Sequence, residues 1–159
     1  TGGPGEKLDK ALKLLKKLTN KKPVATTTKK RIPTWGIRPG LQIGCKVTVR
    51  SKEAEDLTKR LLAAKSNKLS PSNFDSTGNV SFGIPEYLDI TGAEYDSGIG
   101  IIGLEAAITL IRPGFRIKFR KFKKKKVSVS HRITKEEAID FMKNKFSIEV
   151  GEKGEKEWL

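Results

Sequence analysis

Leu8, Ala11, Leu12, Leu15 and Leu18 recur at the spacing of one helix face, with Lys10, Lys13, Lys16 and Lys17 between them. The pattern predicts an amphipathic helix over residues 6–19. Residues 26–40 follow with no clean period and hold Pro33, Gly36, Pro39 and Gly40, so they read as a loop. From 41 to 50 the period becomes two: Leu41, Ile43, Cys45, Val47 and Val49 share one face, and Gln42, Gly44, Lys46, Thr48 and Arg50 the other. This is the clearest strand in the chain. Ser51 is placed to cap a second helix, with Glu53, Glu55 and Asp56 in its first turn and Ala54, Leu57, Leu61 and Ala64 along its inner stripe.

After a turn-rich stretch over 66–79, Val80, Phe82 and Ile84 alternate as a short strand, and residues 104–111 read as a buried one. Arg112-Pro113-Gly114 has the composition of a tight turn. Phe115, Ile117 and Phe119 alternating with Arg116, Lys118 and Arg120 predict a returning strand, residues 123–126 a hairpin tip, and Val127, Val129 and His131 its continuation. Thr134 and Glu137 form a capping box ahead of a last helix, whose inner side is marked by Ala138, Phe141, Met142 and Lys145. This order gives an α+β fold: a mainly antiparallel sheet with helices packed on one face, the other face free and basic. One domain over 1–150 is expected, followed by a charged tail over 151–159 that contains Trp158.

Composition sharpens the picture through charge. The chain has 159 residues, 36% of them apolar, enough for a buried core. Its 33 Lys and Arg against 18 Asp and Glu give +15, but the excess is segregated. Residues 10–52 carry 13 basic groups and residues 106–135 carry 11, neither block holding an acid, so 73 residues bear +24 and the other 86 bear −9. A Lys-rich composition adopted for heat stability adds Glu beside Lys. Blocks free of acid instead suit a polyanion, whose counterions each bound Lys or Arg releases.

Enzyme chemistry finds little foothold. His131 is the only histidine and Cys45 the only cysteine, so no zinc cluster, disulfide or catalytic triad can be assembled within the chain. A reducing compartment and no metal or cofactor are expected. Both residues read as structural, the thiol on an apolar strand face. Gly98-Ile99-Gly100-Ile101-Ile102-Gly103 matches the dinucleotide-binding spacing, but Glu94-Tyr95-Asp96-Ser97 precedes it where a hydrophobic strand is needed and a β-type run follows it. No apolar run is long enough to span a membrane and no secretory signal opens the chain. The loop running from Lys29 through Lys30, Arg31, Trp35 and Arg38 to Gly40 is different in kind: an aromatic ring among cations can stack on a base or ribose while the cations hold phosphates. Asn73-Phe74-Asp75 with Gly78-Asn79 reads as a turn bonded to its own backbone.

Lys22-Pro23-Val24, Gly36-Ile37-Arg38, Ile43 to Arg50, Asn73-Phe74-Asp75, Gly78-Asn79, Ser81 to Ile84, Tyr95-Asp96, Gly100-Ile101, Gly103-Leu104, Arg112-Pro113-Gly114 and His131-Arg132-Ile133 follow one another in a familiar order. Over about residues 5–148 the chain resembles the universal 5S-rRNA-binding protein family of the large ribosomal subunit, the fifth in bacterial nomenclature. The Arg-Pro-Gly and His-Arg-Ile blocks are similar to its archaeal and eukaryotic branch. The resemblance implies a non-enzymatic, cytoplasmic constituent of the ribosome's central protuberance. Its implied partners are 5S rRNA, large-subunit rRNA, P-site tRNA and neighbouring ribosomal proteins; neither a membrane nor self-association is implied.

By position, it assigns 5S rRNA to Lys21, Lys22, Gln42, Lys46, Thr48 and Arg50, and the tRNA-reaching loop to Lys30, Arg31, Trp35 and Arg38. Other rRNA contacts fall to Arg112, Arg116, Lys118, Arg120, Lys123, Lys124, Lys125 and Arg132. Two departures stand out. Thr1-Gly2-Gly3-Pro4-Gly5 stands where the family has a strand rich in Asn, Ile and Val, and Lys21 stands where glutamine is common. An RNA-binding assembly or regulatory factor acting outside the ribosome is the alternative reading.

Overall fold

The computed structural model describes residues 5–151. The opening Thr1-Gly2-Gly3-Pro4 and all of the expected tail beyond Gly151 lie outside the described residues. Three helices, α1 (Glu6–Thr19), α2 (Lys52–Ala63) and α3 (Lys135–Phe146), accompany six strands: β1 (Val24–Thr27), β2 (Gln42–Lys46), β3 (Lys68–Leu69), β4 (Asn79–Ile84), β5 (Leu104–Thr109) and β6 (Glu149–Val150). The class is α+β. Among the described residues, however, the strands form three separate two-stranded ladders where the periodicity suggested one sheet. β1 with β2 and β4 with β5 are antiparallel, while β3 with β6 is parallel.

The chain gathers into two units. The first comprises the residues up to Arg60 together with Pro85–Gly103. In it α1 packs on β2 and buries Leu8, Ala11 and Leu14. Leu14 extends the predicted stripe, since positions three and four apart share a helix face. Ser51 precedes α2 with φ +63°, in the left-handed region, whereas an N-cap keeps extended backbone. Tyr87, Ile90 and Ile99 are also buried, and the Tyr87 hydroxyl accepts the Asp96 N–H at 3.1 Å. Gly103 leads directly into β5, so no helix opens where a dinucleotide fingerprint requires one.

The second unit comprises Leu61–Ile84 and the residues from Leu104 onward. Val80, Phe82 and Ile84 point inward from β4 in strict alternation, and Ala106 is buried on β5. α3 begins at the expected capping box: Thr134 Oγ1 accepts the Glu137 N–H at 3.3 Å, and Glu137 Oε2 accepts the Thr134 N–H at 3.0 Å. Its buried side is Ala138 and Met142, whereas Phe141 and Lys145 are exposed. Four-residue spacing placed all of them together only on an ideal apolar stripe, and here the stripe is narrow.

The stretch 115–131 departs most from expectation. Phe115–Lys118 and Val129–His131 are single 3-10 turns, and the returning hairpin is absent. A ladder with cations at almost every second position would place like charges directly opposite one another. His131 keeps a structural role, its Nε2–H donating to the Pro113 carbonyl at 2.8 Å; a carbonyl only accepts, which fixes the tautomer.

Candidate nucleic-acid interface

β1 and β2 form an antiparallel ribbon, with Val24 opposite Lys46, Ala25 opposite Cys45, Thr26 opposite Gly44 and Thr27 opposite Gln42. The step from Gly44 to Gln42 leaves Ile43 as the extra residue of a bulge, which bends the ribbon locally. Cys45 is half-buried and its thiol is pushed up by that burial, in keeping with a structural thiol. The predicted alternation survives as exposure: Gln42, Lys46, Thr48 and Arg50 face solvent, and the pattern continues beyond the end of β2.

The acid-free loop is what this ribbon carries. At its root the Thr28 N–H donates to the Leu41 carbonyl and the Gly40 N–H to the Thr28 carbonyl, both at 2.9 Å, and the Thr28 hydroxyl donates to the Arg38 carbonyl. Nearer the tip, Ile32 and Ile37 exchange two backbone bonds of 3.0 and 3.1 Å around the 3-10 turn Pro33–Trp35. The backbone is thus tied at both levels while Trp35 is 73% exposed, and Lys30, Arg31 and Arg38 are exposed beside it in sequence. A held backbone with free side chains suits contact with a partner. Trp35 has not folded back into a core.

A shallow depression of about 600 Å³ brings together Lys21, Thr48 and Arg50 with Ser51, Lys52 and Glu53. Lys21 is already engaged there, its Nζ 2.6 Å from Glu53 Oε2. Lys22 is exposed ahead of β1.

The remaining predicted residues lie in the second unit and divide into two kinds. Some are tied within it: Arg112 bonds Glu137 at 2.7 Å, Arg120 Nε donates to the Lys123 carbonyl at 2.8 Å, and Arg132 donates to the Val127 carbonyl at 3.3 and 3.4 Å. The Thr134 N–H and the Arg112 guanidinium hold the Glu137 carboxyl below its ordinary range. Arg116, Lys118, Lys123, Lys124 and Lys125 remain exposed, Lys118 lying 5.3 and 5.8 Å from the Phe115 and Phe119 ring centres. No strand carries them, so the second basic strand face is replaced by a basic loop. Periodicity also assigned Phe119 to a buried face, yet Phe119 and Phe122 are 71% and 78% exposed. The overlooked signal was aromatic residues three apart in a run without acids.

Asp75 builds the expected self-bonded turn. Its carboxylate accepts the backbone N–H groups of Thr77 and Asn79 at 2.7 and 2.8 Å, the Thr77 hydroxyl at 2.8 Å and the Asn79 amide at 2.6 Å. Burial acts to raise its pKa, but the bonds from Asn79 and Thr77 outweigh it and hold the group at about 2. A depressed carboxylate contributes stability above its unfolded value near 3.8, lost as pH falls through about 2. The urea midpoint should therefore drop between pH 4 and 2 by more in the wild type than in Asp75→Asn; equal drops would contradict the assignment.

Among the described residues, no helix is long and apolar enough to cross a membrane, and no three His, Cys, Asp or Glu gather as metal ligands. An acid-free hairpin loop and a basic, aromatic second loop define a protein that meets a polyanion with two separately built surfaces. Residues 42–141 match the C-terminal model of the ribosomal protein uL5 family. The chain is 47% identical over 152 residues to the large ribosomal subunit protein uL5 of Sulfurisphaera tokodaii, covering 95% of this chain and 86% of that one. Against the proteins of the same name from Sulfolobus acidocaldarius and Nanoarchaeum equitans, identity is 48% in each case. Those matches cover 94% of this chain and 84% and 88% of theirs. The chain belongs to the uL5 family of ribosomal proteins. Membership sets it among ribosomal proteins rather than enzymes, and these relatives are archaeal, as the Arg-Pro-Gly and His-Arg-Ile blocks implied.

Proposed function

We propose that this chain is an RNA-binding structural constituent of the large ribosomal subunit in the cytoplasm, its residues 1–150 acting as one rRNA-binding module. It binds 5S rRNA through Lys22, Gln42, Lys46, Thr48 and Arg50, with Lys21 exchanging Glu53 for phosphate, and binds large-subunit rRNA through the basic loop of its second unit. The loop over 28–41 reaches the P-site tRNA. The observation that carries this reading is the β1–β2 ribbon: an antiparallel pair that exposes cations along one strand and holds an exposed Trp35 in an acid-free tip. Cations position such a protein on phosphates, while Trp35, Gln42 and Thr48 are suited to sugar and base contacts.

The test is crosslinking in intact ribosomes with identification of the attached RNA. Crosslinks from Lys46 and Arg50 to 5S rRNA and from the loop to tRNA are expected; a protein that stays in light gradient fractions would overturn the ribosomal role. Arg38→Ala should leave 5S rRNA affinity within about 2-fold while weakening retention of P-site tRNA, because phosphate contacts act locally. Loss of both together would make the loop part of the 5S rRNA site.

A further inference from the structure

In the second unit a groove of about 810 Å³ has Leu110, Phe115 and Phe119 on its apolar side and Lys124, Lys125 and Lys126 among its cations. Its walls are fixed by backbone bonds. The Phe119 and Arg120 N–H groups both donate to the Arg116 carbonyl at 3.0 Å, Arg120 Nε returns to the Lys123 carbonyl at 2.8 Å, and the Lys125 N–H reaches the Ile117 carbonyl at 3.3 Å. Lys123, at φ +48°, turns the chain so that residues 124–126 come back beside 115–119. The rings of Phe115 and Phe119 lie 5.7 Å apart at 56°, and Lys121 Nζ lies 5.6 Å from the Phe122 ring centre.

Two phenylalanines left more than two-thirds exposed forgo roughly 1.5–3 kcal/mol each of possible burial, and exposed aromatic clusters of this kind mark contact surfaces. Residues 106–135 contain no acid, so the partner is anionic. An acidic protein would satisfy the cations but offers nothing specific to the rings, whereas a nucleotide presents a phosphate and a flat base together. In duplex RNA the base faces are already stacked on one another, and an unpaired base is the one free to meet a side-chain ring.

We infer that this groove is a binding site for an unpaired RNA nucleotide, its base stacked on Phe119 or Phe122 and its phosphates held by Lys124, Lys125 and Lys126. The site deepens the rRNA-binding reading of the second unit and rests on it. A pocket of this volume falls within the range that encloses small ligands, roughly 300–1,000 Å³.

The probe is a short single-stranded RNA carrying one 2-aminopurine, with a duplex of the same sequence as comparison, titrated with the full chain at several salt concentrations. Phe119→Leu with Phe122→Leu should weaken single-strand binding about 10-fold and abolish the stacking-dependent fluorescence quench. Since no cation is removed, the slope of affinity against salt and the duplex affinity should both hold. Lys124→Gln with Lys125→Gln should do the opposite, flattening the salt slope while keeping the quench at saturation; this pair carries the test should the phenylalanine pair fail to fold. Unchanged single-strand affinity and slope, an equal loss for duplex, or equally potent displacement by polyglutamate would overturn the site. A wild type that binds 5S rRNA but not the probe overturns the groove alone, whereas one that binds neither overturns the RNA reading itself.

Discussion

Lys46→Ala combined with Arg50→Ala is expected to weaken 5S rRNA binding and flatten its dependence on salt. Both side chains are exposed, neither takes part in an ion pair found among the described residues, and they flank Thr48 in a segment without acids. Each phosphate contact contributes roughly 0.7–0.9 to the slope of log affinity against log salt, so the pair should lower it by about 1.5. Near 0.1 M salt that corresponds to a loss of roughly 30-fold if the high-salt intercept is unchanged. The fold should barely respond, because substitutions at exposed positions that hold no cap or buried network cost about 0.5 kcal/mol or less. Filter binding or fluorescence titration across salt concentrations decides the matter. Parallel lines for wild type and variant would place 5S rRNA elsewhere on the protein.

The contrast between the two basic blocks explains what could be read from the chain. β2 was legible because its alternation is tied to burial: Ile43 and Cys45 lie half-buried while Gln42 and Lys46 face water. Only the bulge was hidden, since nothing local in Gln42-Ile43-Gly44 announces it. β1 escaped notice because Val24-Ala25-Thr26-Thr27 has no periodic signal of its own; its pairing with β2 defines it. α3 was legible through a local chemical device, the reciprocal Thr134 and Glu137 bonds.

Residues 115–131 misled for the opposite reason. Their alternation of Phe and Ile with Arg and Lys imitates a half-buried strand, but it arises from a surface that keeps both its rings and its cations available. Periodicity reports which residues differ in polarity, and it assumes that the apolar ones are buried. Where function holds an aromatic ring in water, that assumption fails. The same limit applied to Trp35 in a milder form, because its loop has no competing period and exposure was expected from its cationic neighbours.

The sharpest structural expectation concerns Gly78. It is buried with φ +74°, and a methyl group there would stand 2.8 Å from Ile133 Cγ2 and 2.9 Å from Ile133 Cβ. The φ alone costs an alanine about 1 kcal/mol, and crowding in a packed site adds roughly 1–3 kcal/mol. Ile133 cannot readily withdraw, because a β-branched side chain is stiff at χ1 and its backbone leads directly into Thr134, the cap of α3. Gly78→Ala should therefore lose about 3 kcal/mol of stability, seen as a lower urea midpoint with unchanged slope.

Gly36→Ala separates the two causes. Its φ is +64°, yet nothing lies within 4 Å of the added carbon, so only the backbone cost of about 1 kcal/mol should remain. Equal losses at both positions would mean that Ile133 yields. In Gly78→Ala, changing Ile133 to Ala as well should recover part of the loss, since it removes the 2.8 Å contact while leaving the Cβ in place. Such coupling between touching residues is the signature of a steric term, and strict additivity of the two substitutions would exclude it.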